Sequence, residues 1–218
     1  MSSLYGDANR VLQDQFDSRA MADVLEAVIV KPEIDDDAKA FIESREFFFL
    51  STINSDGHPT VSHKGGAPGF VRVIDAATIV FPSYDGNGMF LSMGNIANDG
   101  RIGLLFMDFE RPHRLRVHAS ATVSSDDPLM SAYPGADLVV RATVIELFVN
   151  CPRYIAHQSP RSASKYVPDT AGDAPLPGWK KIDALQPFLP NRFQGLAEAE
   201  DDVITADEYN RRLLQGDA

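Results

Sequence analysis

Basic residues, cysteines and long apolar runs are all scarce in this sequence of 218 residues. The 20 lysines and arginines face 31 aspartates and glutamates, and the formal net charge of −11 disfavours nucleic acids and acidic membranes as partners. The single cysteine, Cys151, cannot form an internal disulfide. No apolar run approaches the roughly 20 residues of a membrane span, and the N-terminus lacks the regions of a signal peptide. The sequence therefore predicts a soluble cytoplasmic protein.

Recognisable catalytic and metal-binding patterns are also missing. The five histidines are scattered, and none forms a His-x-x-x-His pair or a His/Cys cluster with metal-ligand spacing. Cys151 is more typical of a small buried residue than of a nucleophile, because only Arg153 offers it a basic neighbour. No acid–base pair or catalytic triad stands out.

The chain divides into three predicted segments. Residues 1–45 are expected to form helices packed on a barrel, because Met21, Val24, Leu25 and Val28 have helix-face spacing and Asp35 starts a second helix. Residues 46–151 are expected to form the barrel itself. Residues 152–218, with seven prolines up to position 190, are expected to form an extended arm. That arm should end in a short helix, since Thr205 and Glu208 have capping-box spacing.

The barrel segment is predicted to contain six or seven antiparallel strands and one inserted helix. Two hairpins are expected, the first around the Asp56-Gly57 pair and the second joining 70–74 to 78–81, after which Pro82 should break the sheet. The inserted helix should include Met89 and Phe90 and end at a left-handed Gly100. Further strands are expected over 101–107, 114–124 and 138–149. Short connections between so many strands indicate a small closed barrel.

Two stretches could bind an anion. In the strand after Gly57, alternation places Thr60, Ser62 and Lys64 on one face, with Val61 and His63 on the other. Two hydroxyls and an ammonium could then bind a phosphate, and Gly65-Gly66 would let the backbone approach the ligand. Gly86-Asn87-Gly88 is the second stretch, because the N–H groups at a helix start point towards a ligand. A solvated strand face and a plain turn are the alternatives for these two stretches.

The order of these elements resembles the pyridoxamine 5′-phosphate oxidase-like family of FMN-binding split barrels. The similarity rests on sequence motifs at residues 47–52, 56–59, 61–71, 101–106 and 150–155, and on the pairs Gly86-Asn87 and Asn95-Ile96. It extends over about residues 41–155. The resemblance implies a mainly β fold with peripheral helices, in which a six- to seven-stranded antiparallel split β-barrel forms the core.

The resemblance also implies a homodimer that holds FMN at the subunit interface. On the family pattern, the polar strand, the turn after the fourth strand and the inserted helix contact the phosphate and ribityl chain, and the alternating strand approaches the flavin ring. The cofactor-binding residues expected on this basis are Thr60, Val61, Ser62, Lys64, Pro82, Ser83, Asn87, Asn95 and Arg114.

The sequence departs from the classical oxidases at their phosphate-binding cations. Ser62 stands where those enzymes carry an arginine, and Asn87 and Gly88 fall near their Arg-Lys pair. Lys64, with Arg101 or an arginine of the partner chain, would have to provide the positive charge. The C-terminal Arg-x-His-x-Arg pattern that binds pyridoxal phosphate is absent. We therefore expect no true pyridoxamine-phosphate oxidase activity.

Two functions follow from the resemblance. The first is an FMN-dependent oxidoreductase acting on a small molecule, with no catalytic side chain, substrate or electron donor indicated by the sequence. The second is a flavin- or ligand-binding protein without turnover, for storage, sensing or stress response. A haem-handling split barrel is disfavoured, because no histidine has a recognisable axial-ligand context.

Overall fold

The fold was analysed in a computed structural model, which describes residues 4–150, 155 and 166–215. Cys151 and the predicted boundary that follows it lie outside the described residues. The chain divides into two compact units, Met1–Ala163 and Ser164–Ala218. No helix in the described part of the chain has the length and apolar character needed to cross a membrane.

The first unit is built on a seven-stranded antiparallel sheet with the strand order β2-β1-β5-β6-β7-β4-β3. Its strands are β1 (Phe47–Ile53), β2 (Pro59–Gly65), β3 (Arg72–Asp75), β4 (Thr78–Tyr84), β5 (Arg101–Asp108), β6 (His113–Ser124) and β7 (Ala136–Val149). Its described helices are α1 (Asp7–Gln15), α2 (Arg19–Ile29), α3 (Asp36–Glu43) and α4 (Leu91–Asn98), with a short 3₁₀ turn at Met130–Ala132.

The sheet curls around one large core, and a smaller cluster of Val80, Tyr133 and Val139 lies apart from it. The rings of Phe48 on β1 and Phe81 on β4 lie 5.0 Å apart between centroids, although three strands separate β1 from β4 in the sheet. Phe70 and Phe106 also pack on Phe48. Strands β2 and β3 lie at the two ends of the strand order, so the sheet is not closed and the small closed barrel predicted from the short connections is wrong. The split β-barrel predicted from the family resemblance is confirmed.

The first predicted hairpin is present, and its turn explains the Asp-Gly signal. Gly57 has a φ of +81°, a left-handed conformation that glycine adopts without a steric penalty. The side-chain oxygen of Asn54 accepts hydrogen bonds from the N–H groups of Asp56 and His58. This turn fixes the register in which Ile53 pairs with Pro59, and it thereby determines which side chains of β2 share a face.

The prediction that Pro82 breaks the sheet is wrong. Strand β4 continues through Pro82 to Tyr84 and pairs with β7 along this whole length. On its other side β4 pairs with β3 only as far as Val80. Proline is tolerated in a strand where one edge has no partner, because no ladder hydrogen bond is then lost on that side.

The inserted helix α4 begins and ends differently from the prediction. It starts at Leu91, so Met89 and Phe90 precede it and are exposed. At its other end, Asp99 is extended, and Gly100 does not have a positive φ. Gly100 is needed for a different reason, since a Cβ atom there would lie 2.6 Å from the carbonyl oxygen of Ala121. Close packing against β6, rather than a helix cap, explains this glycine.

The N-terminal helices differ in how far their side chains are buried. Asp35 caps α3 by accepting a hydrogen bond from the N–H of Ala38 at 2.9 Å, and Ile42 of the same helix is fully buried in the core. Helices α1 and α2 contain no buried residue. After α2, Lys31 forms an isolated antiparallel bridge with Leu147 of β7.

The second unit is more structured than the extended arm expected from its prolines. It contains 3₁₀ turns at Gly178–Lys181, Asp183–Phe188 and Asn191–Phe193, followed by α5 (Leu196–Ala199) and α6 (Ala206–Gln215). Within this unit the ammonium of Lys180 lies 3.3 Å from the ring centroid of Phe193. The predicted terminal helix is present, and the hydroxyl of Thr205 accepts a hydrogen bond from the N–H of Glu208.

Candidate functional site

A pocket lies between β2, the end of β4 and the start of α4, with a cavity volume of ≈ 270 Å³. Its polar lining combines side chains from three separate parts of the sequence. These polar residues are Ser62 and Lys64 of β2, Ser83 and Tyr84 of β4, Asn87 of the following turn and Ser92 of α4.

Among the described residues that line this pocket, Lys64 is the only cation. Alternation along β2 turns Ser62 and Lys64 inwards, as predicted, and both side chains are half-buried. Burial lowers the pKa of the Lys64 ammonium, because a low-dielectric environment disfavours the charged form. No carboxylate of the described residues forms an ion pair with it. A half-buried ammonium without a counter-charge is suited to binding an anion.

The start of α4 provides further hydrogen-bond donors. Leu91, Ser92 and Met93 line the pocket, and the N–H groups of a first helical turn have no acceptor within the helix. Phe90, which precedes the helix, has a φ of +48°, and its carbonyl accepts the helix's first bond from Gly94. The helix dipole adds partial positive charge at this end. Main-chain N–H groups, hydroxyls and the Lys64 ammonium therefore meet in one place.

A buried polar cluster holds α4 against the sheet. The amide of Asn95 donates to the hydroxyl of Thr52 at 3.0 Å and lies 3.4 Å from that of Thr60. The two threonine hydroxyls are 2.8 Å apart. Thr60 and Asn95 were both predicted to bind the cofactor, but neither lines the pocket. Their observed role is to position β2 and α4, the two elements that form its walls.

Three other predicted residues do not line the pocket either. Val61 is 70% exposed on the opposite face of β2, Pro82 is buried in β4, and Arg114 lies on β6 opposite Met107. Their contacts with a flavin remain predictions. Arg101, considered as a second cation, forms an ion pair with Asp99 at 2.5 Å. The structure thus brings together Ser62, Lys64, Ser83 and Asn87 from the predicted set.

The glycine pair after Lys64 has a structural explanation. Gly66 is buried, and a Cβ atom built there would lie 2.4 Å from Cγ of Phe70. The expectation that both glycines admit a ligand is therefore wrong for Gly66, whose small size makes room for an aromatic side chain of the core. At Gly65 a Cβ atom would have the ring of His63 as its nearest neighbour, 3.0 Å away.

Two polar residues of the pocket were not identified from the sequence. Ser92 was missed because the helix was predicted to begin too early, although a serine in the first turn after Gly-Asn-Gly was a usable signal. Its hydroxyl lies 3.1 Å from that of Ser62. Tyr84 follows the predicted Ser83, and burial raises the pKa of its phenol. Among the described residues, no group of three or more His, Cys, Asp or Glu could hold a metal ion.

Comparisons with solved structures show similarity to several proteins at low sequence identity. HupZ of Group A Streptococcus is 19% identical, with a TM-score of 0.45 over 58% of this chain and 99% of its own. A candidate pyridoxamine 5′-phosphate oxidase of Lactobacillus delbrueckii is 22% identical, with a TM-score of 0.43 over 54% and 95%. An FMN-binding protein of Syntrophomonas wolfei is 9% identical, with a TM-score of 0.39 over 64% and 97%.

The family assignment comes from the sequence. No curated protein matches the chain significantly. The family model described as pyridoxamine 5′-phosphate oxidase matches residues 34–164, which is more than half of the 218 residues. The matched region includes every strand of the sheet and the whole pocket. The chain therefore belongs to the pyridoxamine 5′-phosphate oxidase family of FMN-binding split-barrel proteins.

Proposed function

We propose that this protein binds FMN, with the phosphate in the pocket at the start of α4, and acts as an FMN-dependent oxidoreductase on a small molecule. The observation that carries the proposal is the half-buried Lys64 ammonium, which shares the pocket with the hydroxyls of Ser62 and Ser92 and with the first turn of a helix. Family membership supports FMN as the ligand.

The donor set matches the needs of a phosphate monoester. A phosphate offers three acceptor oxygens and close to two negative charges at neutral pH. Lys64 would supply the charge, while the hydroxyls of Ser62 and Ser92 and the first N–H groups of α4 would donate hydrogen bonds. Each serine hydroxyl has a single proton, and this proton can turn from their mutual contact towards a ligand.

When bound, FMN supplies the electron-transfer chemistry. The chain's own residues then bind the cofactor and orient it. Lys64 anchors one end of the cofactor, and the cluster of Thr52, Thr60 and Asn95 keeps α4 and β2 at a fixed separation. Of the residues that the structure describes, those lining the pocket include no carboxylate or histidine that could act as a general acid or base.

The size of the pocket supports a homodimer as the binding unit. Its ≈ 270 Å³ falls below the roughly 300–1,000 Å³ of pockets that enclose a drug-sized ligand. This volume suits the phosphate and part of the ribityl chain, so the flavin ring needs a second wall. We propose that the partner subunit provides this wall, in keeping with an FMN site at the dimer interface.

Purified protein tests the proposal directly. We expect flavin absorption bands in the isolated protein or after addition of FMN, and loss of those bands when NADH or NADPH is added anaerobically. Protein that stays colourless and does not quench FMN fluorescence in a titration would refute both cofactor binding and turnover.

A flavin-binding protein without turnover is the second candidate. It is favoured by the same absence of a carboxylate or histidine in the pocket lining. A bound flavin that neither NADH nor NADPH reduces, over a range of small-molecule acceptors, would support storage or sensing instead of catalysis.

A further inference from the structure

A second cavity of the first unit lies where the end of α2 and the helix α3 pack on β6 and β7, and its volume is ≈ 280 Å³. Its described lining residues all differ from those of the pocket proposed to bind FMN. The volume lies just below the roughly 300–1,000 Å³ of pockets that enclose a drug-sized ligand. This cavity, called the α3 cavity below, therefore suits a molecule with a single ring.

The floor of the α3 cavity is apolar. Leu115 of β6 and Leu147 and Phe148 of β7 line it and are at most 5% exposed. Val149, which is 39% exposed, continues this surface outwards. An apolar group that enters the cavity leaves water and contacts these side chains, which is favourable in proportion to the apolar area that is covered.

One wall of the cavity is an aromatic ring that two neighbours hold in place. The ring of His113 meets the ring of Phe41 edge-on, with 4.6 Å between their centroids. The guanidinium of Arg45 lies 4.7 Å from the centroid of the Phe41 ring, and an ion pair with Asp108 at 2.8 Å fixes this guanidinium in turn. A wall that is ordered before binding lowers the entropic cost of fixing a ligand.

The rim of the cavity is acidic. Asp35 is already engaged, because it pairs with Lys31 and caps α3 by accepting a hydrogen bond from the N–H of Ala38. Asp37 also lines the cavity, and within the described part of the chain its side chain forms no hydrogen bond or ion pair. Asp35 chiefly, and Asp37 to a smaller extent, raise the pKa of the Lys31 ammonium. The rim therefore favours positive charge and offers an incoming cation the carboxylate of Asp37.

We propose that the α3 cavity binds a small amine that carries one apolar ring, with the ammonium at Asp37 and the ring on the floor beside Phe41. The acidic rim disfavours an anion, and the apolar floor disfavours a bare inorganic cation. A cation with an apolar body satisfies both features. This site is separate from the pocket proposed for FMN, and the proposal does not depend on FMN binding.

Titration of the full chain with phenethylamine, followed by the amide signals in NMR spectra, tests the proposal. Saturable shifts should concentrate in α3 and in the parts of β6 and β7 that line the cavity. Phenethyl alcohol and hydrocinnamate carry the same ring with a neutral and an anionic head group. Both should bind at least about threefold more weakly, because neither can pair with a carboxylate. Equal binding of the three compounds, or no saturable shift at the cavity, would overturn the proposal.

A matched pair of charge variants tests the role of Asp37. Asp37→Asn should weaken phenethylamine binding about three- to fivefold, the effect of losing a partly exposed ion pair. Asp36→Asn is the control, because Asp36 is the exposed neighbour on α3 and does not line the cavity. Its charge acts only through solvent, so this change should stay within about 1.5-fold. Equal losses in the two variants would contradict the placement of the ammonium.

A second matched pair tests the cavity itself. Ala38 lines the cavity, so Ala38→Trp should fill it and abolish the saturable shifts. Ala40→Trp adds the same side chain at an exposed position of α3 outside the lining and should leave binding unchanged. Circular dichroism checks that both variants fold, and if Ala38→Trp does not, the comparison of Asp37→Asn with Asp36→Asn decides. A folded Ala38→Trp that binds phenethylamine like the wild type would overturn the proposal.

Discussion

The side-chain oxygens of Ser62 and Ser92 lie 3.1 Å apart, although one belongs to an edge strand and the other to the first turn of α4. This contact joins the two walls of the pocket at the place where the FMN phosphate is proposed to bind. Substitutions in the pocket and in the residues that support it therefore have distinct expected effects on cofactor binding and on stability.

Lys64→Ala should weaken FMN binding by roughly ten- to a hundredfold, the effect of losing a charge-assisted hydrogen bond worth about 1.5–3 kcal/mol. His63→Ala is the matched control, because His63 lies on the opposite face of β2 and stacks on Phe47. Fluorescence titration with FMN measures both. Equal losses in the two variants would contradict the assignment of Lys64 to the ligand face.

FMN affinity should fall as the pH rises into the alkaline range. In the free protein, burial lowers the pKa of Lys64, and a bound phosphate would raise it again by favouring the ammonium. Binding therefore takes up a proton between these two pKa values, and affinity is lost as the pH rises through the lower one. Titrations from about pH 7 upwards should show this loss in the wild type but not in Lys64→Arg, whose guanidinium stays charged. The same dependence of FMN affinity on pH in both proteins would refute the link between the Lys64 proton and FMN binding.

Asn95→Ala should lower the free energy of unfolding by about 1–3 kcal/mol, because it removes the buried donor that links α4 to Thr52. Asn98→Ala in the same helix provides the control, since Asn98 is exposed. That change should stay within about 0.5 kcal/mol. Urea unfolding followed by circular dichroism measures both, and a neutral Asn95→Ala would show that the cluster does not hold the helix.

Gly66→Ala should destabilise the fold by about 1–3 kcal/mol, because the new methyl group overlaps the side chain of Phe70. Gly94→Ala is the counterpart. A Cβ atom at this helical position has no neighbour within 4 Å, so the change should stabilise the fold by about 0.5–1 kcal/mol. The temperatures of thermal unfolding of the two variants should therefore shift in opposite directions. A shift in the same direction would mean that the close contact between residue 66 and Phe70 does not determine the stability of the fold.

Pyridoxine and pyridoxamine phosphates should not be oxidised at rates ordinary for enzymes. Lys64 is the one cation that the described lining of the pocket contains, and it is proposed to bind the FMN phosphate, so this lining offers no paired positive charge to a second phosphate. A direct assay for pyridoxal phosphate formation in the FMN-loaded protein checks this. Turnover near roughly 1 per second or faster would show that other residues bind the substrate phosphate.

Local patterns predicted much of this fold. The alternation along β6 and the Asp56-Gly57 turn are determined by neighbouring residues, so the sequence alone indicated the strand and the hairpin. The positions of Ser62 and Lys64 followed from the same alternation. The packing role of Gly66 and the continuation of β4 through Pro82 depend on contacts with distant residues, and no local pattern contains that information. Ser92 was missed for a local reason, because α4 was predicted to begin too early.

Pro82 also affects the behaviour of the free edge of β4. Beyond Val80 this edge has no partner strand among the described residues, and Pro82 offers no N–H group there. Proline in an edge segment is one of the features that disfavour pairing with a strand of another molecule. The residue that the sheet tolerates at this position is therefore also one that disfavours edge-to-edge pairing, beside the pocket proposed to bind FMN.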